Sequence, residues 1–148
     1  KKVNIDYLAI ASWGHDVFRN KVRAKGPHQG KLVNKVVYDR LKGRVAVIAS
    51  GGINSKEKAL EALENADLVG LSTPFITDPE FAVKIQEGNE SEIQLTIKPE
   101  ALEALAIPKA AFKDIVPLMD FGESLEKEAR DFFRGLEANY EGRETNEN

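Results

Sequence analysis

Five consecutive residues, Ser50-Gly51-Gly52-Ile53-Asn54, carry the sharpest chemical signal in the sequence. They follow the apolar run Val45-Ala46-Val47-Ile48-Ala49 and precede a stretch with helical spacing. Glycines let an anion come close to the main chain, and their N–H groups can donate to it. A helix start just beyond adds partial positive charge. Phosphate is the anion that suits such a turn. The same glycines also suit a tight turn that binds nothing, and both readings stand at this point. Ser72 and Thr73 follow the next apolar stretch and offer hydroxyls and N–H groups. Ser50, Gly51, Gly52, Ser72 and Thr73 could grip one phosphate from two adjacent strand ends. The alternative for Ser72 and Thr73 is turn formation and helix capping. Ser12, Trp13 and His15 lie just past the first apolar run. Trp13 could stack on a ring and His15 could donate a hydrogen bond; packing on a rim and solvent exposure are the alternatives. His28, beside Gly26-Pro27, reads as a loop residue. The absence of cysteine removes thiolate nucleophiles, thiolate metal ligands and disulfides. No residue is assigned a catalytic role, and no metal site is expected.

The elements that must position these groups alternate along the chain. Residues 5–11 (IDYLAIA), 45–49 (VAVIA) and 68–71 (LVGL) are short apolar runs, as expected for strands of a parallel sheet. Residues 13–30 read as a loop with a short helix inside. Leu32, Val33, Val36, Val37 and Leu41 fall on one face of a helix over 31–41. Asn54 and Glu57 form a capping-box pattern opening a helix over 56–65, with Ala59, Leu60 and Leu63 inward. Ser72-Thr73-Pro74 reads as a loop. Thr77 and Glu80 form a second capping box, with Pro79 in the first turn of a helix to about residue 87 that turns Phe81 and Ile85 inward. Strand and helix alternate with no hairpin signal, which predicts βαβ units, right-handed crossovers and a parallel sheet. That pattern builds either a barrel segment or half of a doubly wound sheet.

After Gly88 the texture changes. Ile93, Leu95 and Ile97 alternate as a short strand would, residues 99–106 read as a short helix, and Pro108 and Pro117 interrupt the stretch beyond it. Leu125, Ala129, Phe132, Phe133, Leu136 and Tyr140 form an apolar stripe on a helix over 123–140, read as core packing. The last eight residues are polar. Residues 1–90 are expected to form the sheet-bearing part and 91–148 a mainly helical extension.

Residues 45–85, VAVIASGGINSKEKALEALENADLVGLSTPFITDPEFAVKI, resemble the strand-seven to helix-eight region of the Old Yellow Enzyme family of NADH-dependent flavin oxidoreductases. Gly51-Gly52-Ile53, Ala66-Asp67 and Asp78-Pro79 match that family's motifs at matching spacing. The likeness is closest over 45–87, looser over 3–41 and fades after 90. It implies an α/β chain holding about three βα units of a (β/α)8 TIM barrel, from its C-terminal part. It implies an FMN phosphate lined by Ser50, Gly51, Gly52, Ser72 and Thr73. Strand six would then be residues 5–11, with Ser12, Trp13 and His15 facing flavin or substrate. The family's Gly-Arg pair falls on Ser72-Thr73 here, so Thr73 brings a hydrogen bond and no charge. The implied reaction passes hydride from NADH or NADPH through flavin N5 to a small-molecule acceptor such as an activated alkene. In the family, the groups that orient the acceptor come mostly from earlier strands, so the isolated chain is expected to be inactive.

Length agrees with a part rather than a whole. The chain has 148 residues, whereas a complete barrel needs roughly 250. It opens Lys1-Lys2-Val3, with no Met and a strand almost at once, which reads as a boundary made by cloning or cleavage. A partial barrel leaves open sheet edges, from which self-association is expected. Net charge is −3 with no basic face, which argues against nucleic acid. The longest apolar run is far short of the roughly 20 residues a membrane helix needs, and no signal-peptide pattern is present. A cytoplasmic protein with no membrane partner is expected. Two other functions remain open: a phosphate-binding barrel enzyme of another class, and a non-catalytic α/β interaction module.

Overall fold

The computed structural model describes residues 4–11, 16–97, 101, 103–108 and 111. Ser12, Trp13 and His15 and the expected helix over 123–140 lie outside them. The chain forms two compact units, divided between Leu71 and Ser72.

The first unit is a three-stranded parallel sheet in the order β1-β2-β3, with β1 at Tyr7–Ile10, β2 at Ala46–Ser50 and β3 at Leu68–Gly70. Helix α1 (Val33–Leu41) links the first two strands and α2 (Lys56–Leu63) the last two. The register sets Ile10 beside Ala49 and Ala49 beside Val69, so these side chains share one face of the sheet. That face is covered: Val47 and Ala49 are fully buried and pack with Tyr38 and Leu41 of α1 and Ala59 and Ala62 of α2. The opposite face carries Tyr7, Ala9, Ile48 and Leu68. Tyr7 is 60% exposed and Leu68 53%.

The long loop after β1 holds a short helix, a 3-10 turn at Val17–Arg19, with Val17 and Phe18 buried. Three local features depart from expectation. The same loop folds into a small hairpin: Lys21 pairs antiparallel with Leu32, the Val22 N–H donates to Lys31 O, and the Gly30 N–H donates to Val22 O. No apolar–polar alternation announced it. Helix α2 is capped by Ser55 rather than Asn54: the Ser55 hydroxyl accepts from the Lys58 N–H at 3.3 Å, on an extended backbone (φ −146°, ψ 166°) that suits a cap. That start also turns α2 so that the small Ala59 and Ala62 meet the sheet, while Leu60 and Leu63, expected inward, stay exposed.

In the second unit α4 (Phe81–Glu87) falls within the expected helix, and an additional helix, α3 (Thr73–Thr77), precedes it. Residues 73 and 74 are thus helical rather than loop, and Pro74 fits the first turn, where its missing N–H costs nothing. Thr77 ends α3 instead of capping the next helix; its hydroxyl donates back to the carbonyls of Thr73 and Pro74. Asp78 precedes Pro79, and the proline ring pushes it out of helical geometry to φ −147°, ψ 94°. Its Oδ1 then accepts from the Glu80 N–H ahead of α4. Gly88 ends α4 in left-handed geometry, and a 3-10 turn follows at Glu90–Glu92. No strand forms over 93–97. The Gln94 N–H is taken by Asp78 Oδ2 at 2.9 Å, and Ile97 is fully buried. The described part of 99–106 is a set of turns, closed by Leu105 N–H to Ala101 O and Ala106 N–H to Glu103 O.

Candidate functional site

The glycine turn sits at the C-terminal end of β2, the central strand. Ser50 ends β2, and its hydroxyl donates to Ile10 O at 2.8 Å, tying the ends of β2 and β1 together. Gly51 and Gly52 have φ of 94° and 81°, which side-chain-bearing residues rarely adopt. A Cβ on Gly51 would lie 2.7 Å from Val17 Cβ, and one on Gly52 would fall on the Asp16 backbone, 2.6 Å from its Cα. The glycines therefore have a packing reason as well. Their side faces are filled by the segment that returns from β1.

The same contacts fix where the turn's amides point. Gly51 O accepts from the Phe18 N–H at 3.4 Å, and Gly52 O from Lys58 Nζ at 3.3 Å. Every described peptide bond is trans, so each carbonyl opposes the N–H that comes after it. The N–H of Gly52 points away from Phe18, and the N–H of Ile53 away from Lys58. Two successive donors thus face away from the protein groups that engage the carbonyls, just ahead of the eight-residue α2. That is a geometry in which an anion can be met by main-chain donors.

Around the turn stands a charged cluster that the sequence did not reveal. Lys58 Nζ meets Asp16 Oδ1 at 2.7 Å. Arg19 meets Asp16 Oδ2 at 2.7 Å and holds Glu61 through two nitrogens, at 2.8 and 2.5 Å. Its guanidinium also lies 4.9 Å from the Phe18 ring centroid. The Lys58 hydrogen bond comes first among the causes that hold the Asp16 carboxyl below the usual range. Arg19 lowers Glu61 in turn, and Glu61 raises Arg19. Two cations thus face two anions, each side chain between about a quarter and a half exposed. Such pairs are worth little individually because water screens them. Their effect is positional: they tie the segment after β1 to α2 across the glycine turn. The only sequence trace was spacing by three (Asp16 and Arg19, Lys58 and Glu61), and nothing in it joins the two pairs.

Ser72 and Thr73 stand at the start of the second unit, as the residue before α3 and its first residue. Ser72 O accepts from the N–H groups of Phe75 and Ile76, and the Ser72 side chain does not cap the helix. Gly70, two residues earlier, is the partner of Ser50 across the sheet. His28 is an exposed residue of the small hairpin, and its carbonyl accepts from the Lys31 N–H.

The second unit holds a buried carboxylate of its own. Asp78 is 4% exposed, and its Oδ2 meets Lys84 Nζ at 2.7 Å and the Gln94 N–H. Burial raises its pKa, but the bonds from Lys84, Gln94 and Glu80 outweigh that and leave it lowered. A cavity of about 300 Å³ lies beside it, lined in part by Thr77, Pro79, Gln94 and Leu105. Both Asp78 oxygens are engaged within the protein, so this carboxylate reads as a pin. Among the described residues no group of His, Cys, Asp and Glu could hold a metal ion, and no helix is long and apolar enough to cross a membrane.

No protein-family model matches the chain. It is 60% identical over 136 residues to an uncharacterized oxidoreductase of Streptococcus pyogenes, an overlap of 92% of this chain and 34% of that protein. It is 31% identical over 113 residues, 76% of this chain and 29% of the other, to the probable NADH-dependent flavin oxidoreductase YqiG of Bacillus subtilis. It is also 35% identical over 82 residues to 4-hydroxy-tetrahydrodipicolinate synthase of Stutzerimonas stutzeri, 55% of this chain and 26% of that protein. The matched part of the chain therefore spans between about a quarter and a third of the length of these curated relatives.

Proposed function

We propose that this chain is the phosphate-binding portion of an FMN-dependent oxidoreductase of the Old Yellow Enzyme type, built on βα units of a (β/α)8 barrel. The observation that carries the reading is the pair of donors at Gly52 and Ile53, turned away from Phe18 and Lys58 at the end of the central strand. The names of two relatives, an oxidoreductase and an NADH-dependent flavin oxidoreductase, favour flavin over other phosphorylated ligands. Ser50 holds the strand ends in register, and Gly51 and Gly52 set the amides. Asp16 and Lys58 fix the turn from the side opposite the donors. Ser12, Trp13 and His15 would serve the substrate side. When bound, FMN would supply the hydride relay between NADH or NADPH and an acceptor such as an activated alkene. This chain's own part is to bind and orient, in keeping with how such proteins divide labour with their cofactor.

The test is a titration of FMN fluorescence with the chain, using inorganic phosphate as competitor and riboflavin as a phosphate-free control. FMN quenching reversed by phosphate, with riboflavin unaffected, is the expected result. Equal quenching of both flavins, or none at millimolar chain, would sink the phosphate reading. A second reading, an enzyme of another class on the same βα units, is favoured by the 35% identity to 4-hydroxy-tetrahydrodipicolinate synthase. It predicts no preference for flavin in the same titration.

A further inference from the structure

The small hairpin that follows the Val17–Arg19 turn concentrates positive charge. Residues 19–44 hold nine of the chain's 21 lysines and arginines but only one of its 24 acids, Asp39. The net charge of −3 averages this segment against an acidic remainder, so the expectation of no basic face holds for the composition and not for this hairpin. Lys21, Arg23, Lys25 and Lys31 are exposed, and no acid lies among residues 20–32. Elsewhere in the first unit Arg19, Lys35 and Lys58 each meet a carboxylate. Among the described residues the four hairpin cations meet none.

The backbone holds these charges together. The Val33 N–H donates to Asn20 O at 2.8 Å, the Val22 N–H to Lys31 O at 2.9 Å and the Gly30 N–H to Val22 O at 2.9 Å. The tip closes with the Gln29 N–H on Gly26 O and the Lys31 N–H on His28 O. Gathering like charges costs free energy through mutual repulsion. A bound anion relieves that repulsion, and a hairpin already folded loses little entropy on binding. Its place says which anion. β1 and β2 run parallel, and the Ser50 hydroxyl ties their C-terminal ends. The hairpin therefore leaves the sheet at the end that carries the glycine turn, and Asp16, Val17 and Phe18 at its root pack on Gly51 and Gly52. Ligands of parallel α/β sheets bind outside that end of the strands.

We propose that the hairpin docks the diphosphate of the nicotinamide dinucleotide donor, with Lys21, Arg23, Lys25 and Lys31 as its cationic partners. The inference rests on the flavin reading above for the identity of the donor, and the NADH dependence in the name of the Bacillus subtilis relative supports that identity. A diphosphate carries two adjacent anionic groups whose oxygens suit an arginine fork and lysine point charges. It stands one ribose away from the nicotinamide, so docking there leaves the hydride-bearing ring free. A nucleic acid suits the hairpin less. Its affinity comes from many phosphate contacts, and four cations on a chain of net charge −3 supply few.

The experiment follows backbone amide shifts of the isotope-labelled chain during titration with NADH, NADPH and ADP-ribose, with adenosine as the control that lacks phosphate. Shifts centred on residues 21–31, given by all three nucleotides and not by adenosine, are expected. Equal binding of NADH and NADPH assigns the cations to the diphosphate, and tighter binding of NADPH extends them to its additional ribose phosphate. Arg23→Gln combined with Lys25→Gln is expected to weaken binding about tenfold. Arg40→Gln, at an exposed position on α1, should change it by less than about twofold. Unmoved β2 and α2 amides check that the double variant is folded. Equal shifts with adenosine, or indifference to the double variant, overturn the proposal. Inorganic phosphate acting at the same concentration as ADP-ribose also overturns it, leaving a general anion patch, and tighter binding of duplex DNA than of NADH does so in favour of nucleic acid. Failure here is separable from failure of the flavin reading. Hairpin shifts with ADP-ribose in a chain that ignores FMN uphold the donor site and refute the cofactor. Phosphate-reversible FMN quenching in a chain whose hairpin ignores all three nucleotides does the reverse.

Discussion

The turn after β2 and the turn after α3 are each held by one aspartate and one lysine, yet they are built in opposite ways. At the first, the backbone is the constraint. Gly51 and Gly52 adopt positive φ and are pressed against Val17 and Asp16, while the Asp16 side chain is a third exposed and, among the described residues, meets the side-chain cations Arg19 and Lys58. At the second, the carboxylate is the constraint. Asp78 is 4% exposed and collects Lys84, the Gln94 N–H and the Glu80 N–H. A turn fixed by its shape can offer its amides to a ligand. A turn fixed by a buried acid has that acid already engaged.

The comparison breaks first at Gly52. Gly52→Ala is expected to destabilise the first unit by about 3 kcal/mol, from the left-handed backbone (about 1–2) and the forced displacement of Asp16 (about 1–3). Gly30→Ala shares a positive φ of 80° but meets nothing within 4 Å, and should cost only about 1 kcal/mol. Urea denaturation followed by hydrogen exchange in β2 and α2 separates the two. Equal losses would mean that the Asp16 segment does not press on the turn.

The next largest effect belongs to Asp78. Asp78→Asn keeps the shape but loses the charge that strengthens its bonds, and should destabilise the second unit by about 2 kcal/mol. Protection of the Gln94 amide from exchange should fall with it. The matching change at Asp16 is expected to cost less than about 1 kcal/mol, because its partners sit in water-screened positions. If Asp16→Asn proved the more damaging, the first turn would depend on charge after all, and its amides would be less free for a ligand.

Much of this contrast was hidden in the sequence. The three strands were legible because each is an apolar run closed by small or charged residues, and the structure moves their ends by at most two positions. The glycine turn's place at the end of a strand was legible too. Its neighbour Asp16 was not, because a 42-residue separation between loop and helix leaves no periodic trace. Helix α3 was not legible, because Ser72-Thr73-Pro74 read as a loop and Thr77 as the cap of the next helix, whereas Thr77 ends α3 and Asp78 ahead of Pro79 separates it from α4. Ile93, Leu95 and Ile97 alternate as a strand does, yet a backbone donor committed to Asp78 cannot serve a sheet ladder. Single-sequence pattern reports which side chains are apolar. It does not report which distant carboxylate claims an amide.

The smallest expected effect is also the cleanest discriminator, because acid and salt act differently on the two aspartates. Both have folded-state pKa values below the ordinary 3.8. A depressed carboxyl pKa stabilises the fold above the unfolded value, and that stabilisation is lost as pH falls through the folded value. Each unit should therefore hold its full contribution at neutral pH and lose it only below about pH 4. Asp16→Asn should flatten part of that acid loss in the first unit alone, and Asp78→Asn in the second alone. Salt then separates them at neutral pH. Raising NaCl toward 1 M shortens the screening length to about 3 Å, which reaches the partly exposed Asp16, Lys58 and Arg19 but not a carboxylate buried against backbone donors. Exchange protection near Asp16 should fall by a few tenths of a kcal/mol while that of Gln94 holds. Equal salt sensitivity at both sites would mean that Asp78 is reached by solvent, and the distinction between a turn held by shape and a turn held by charge would collapse.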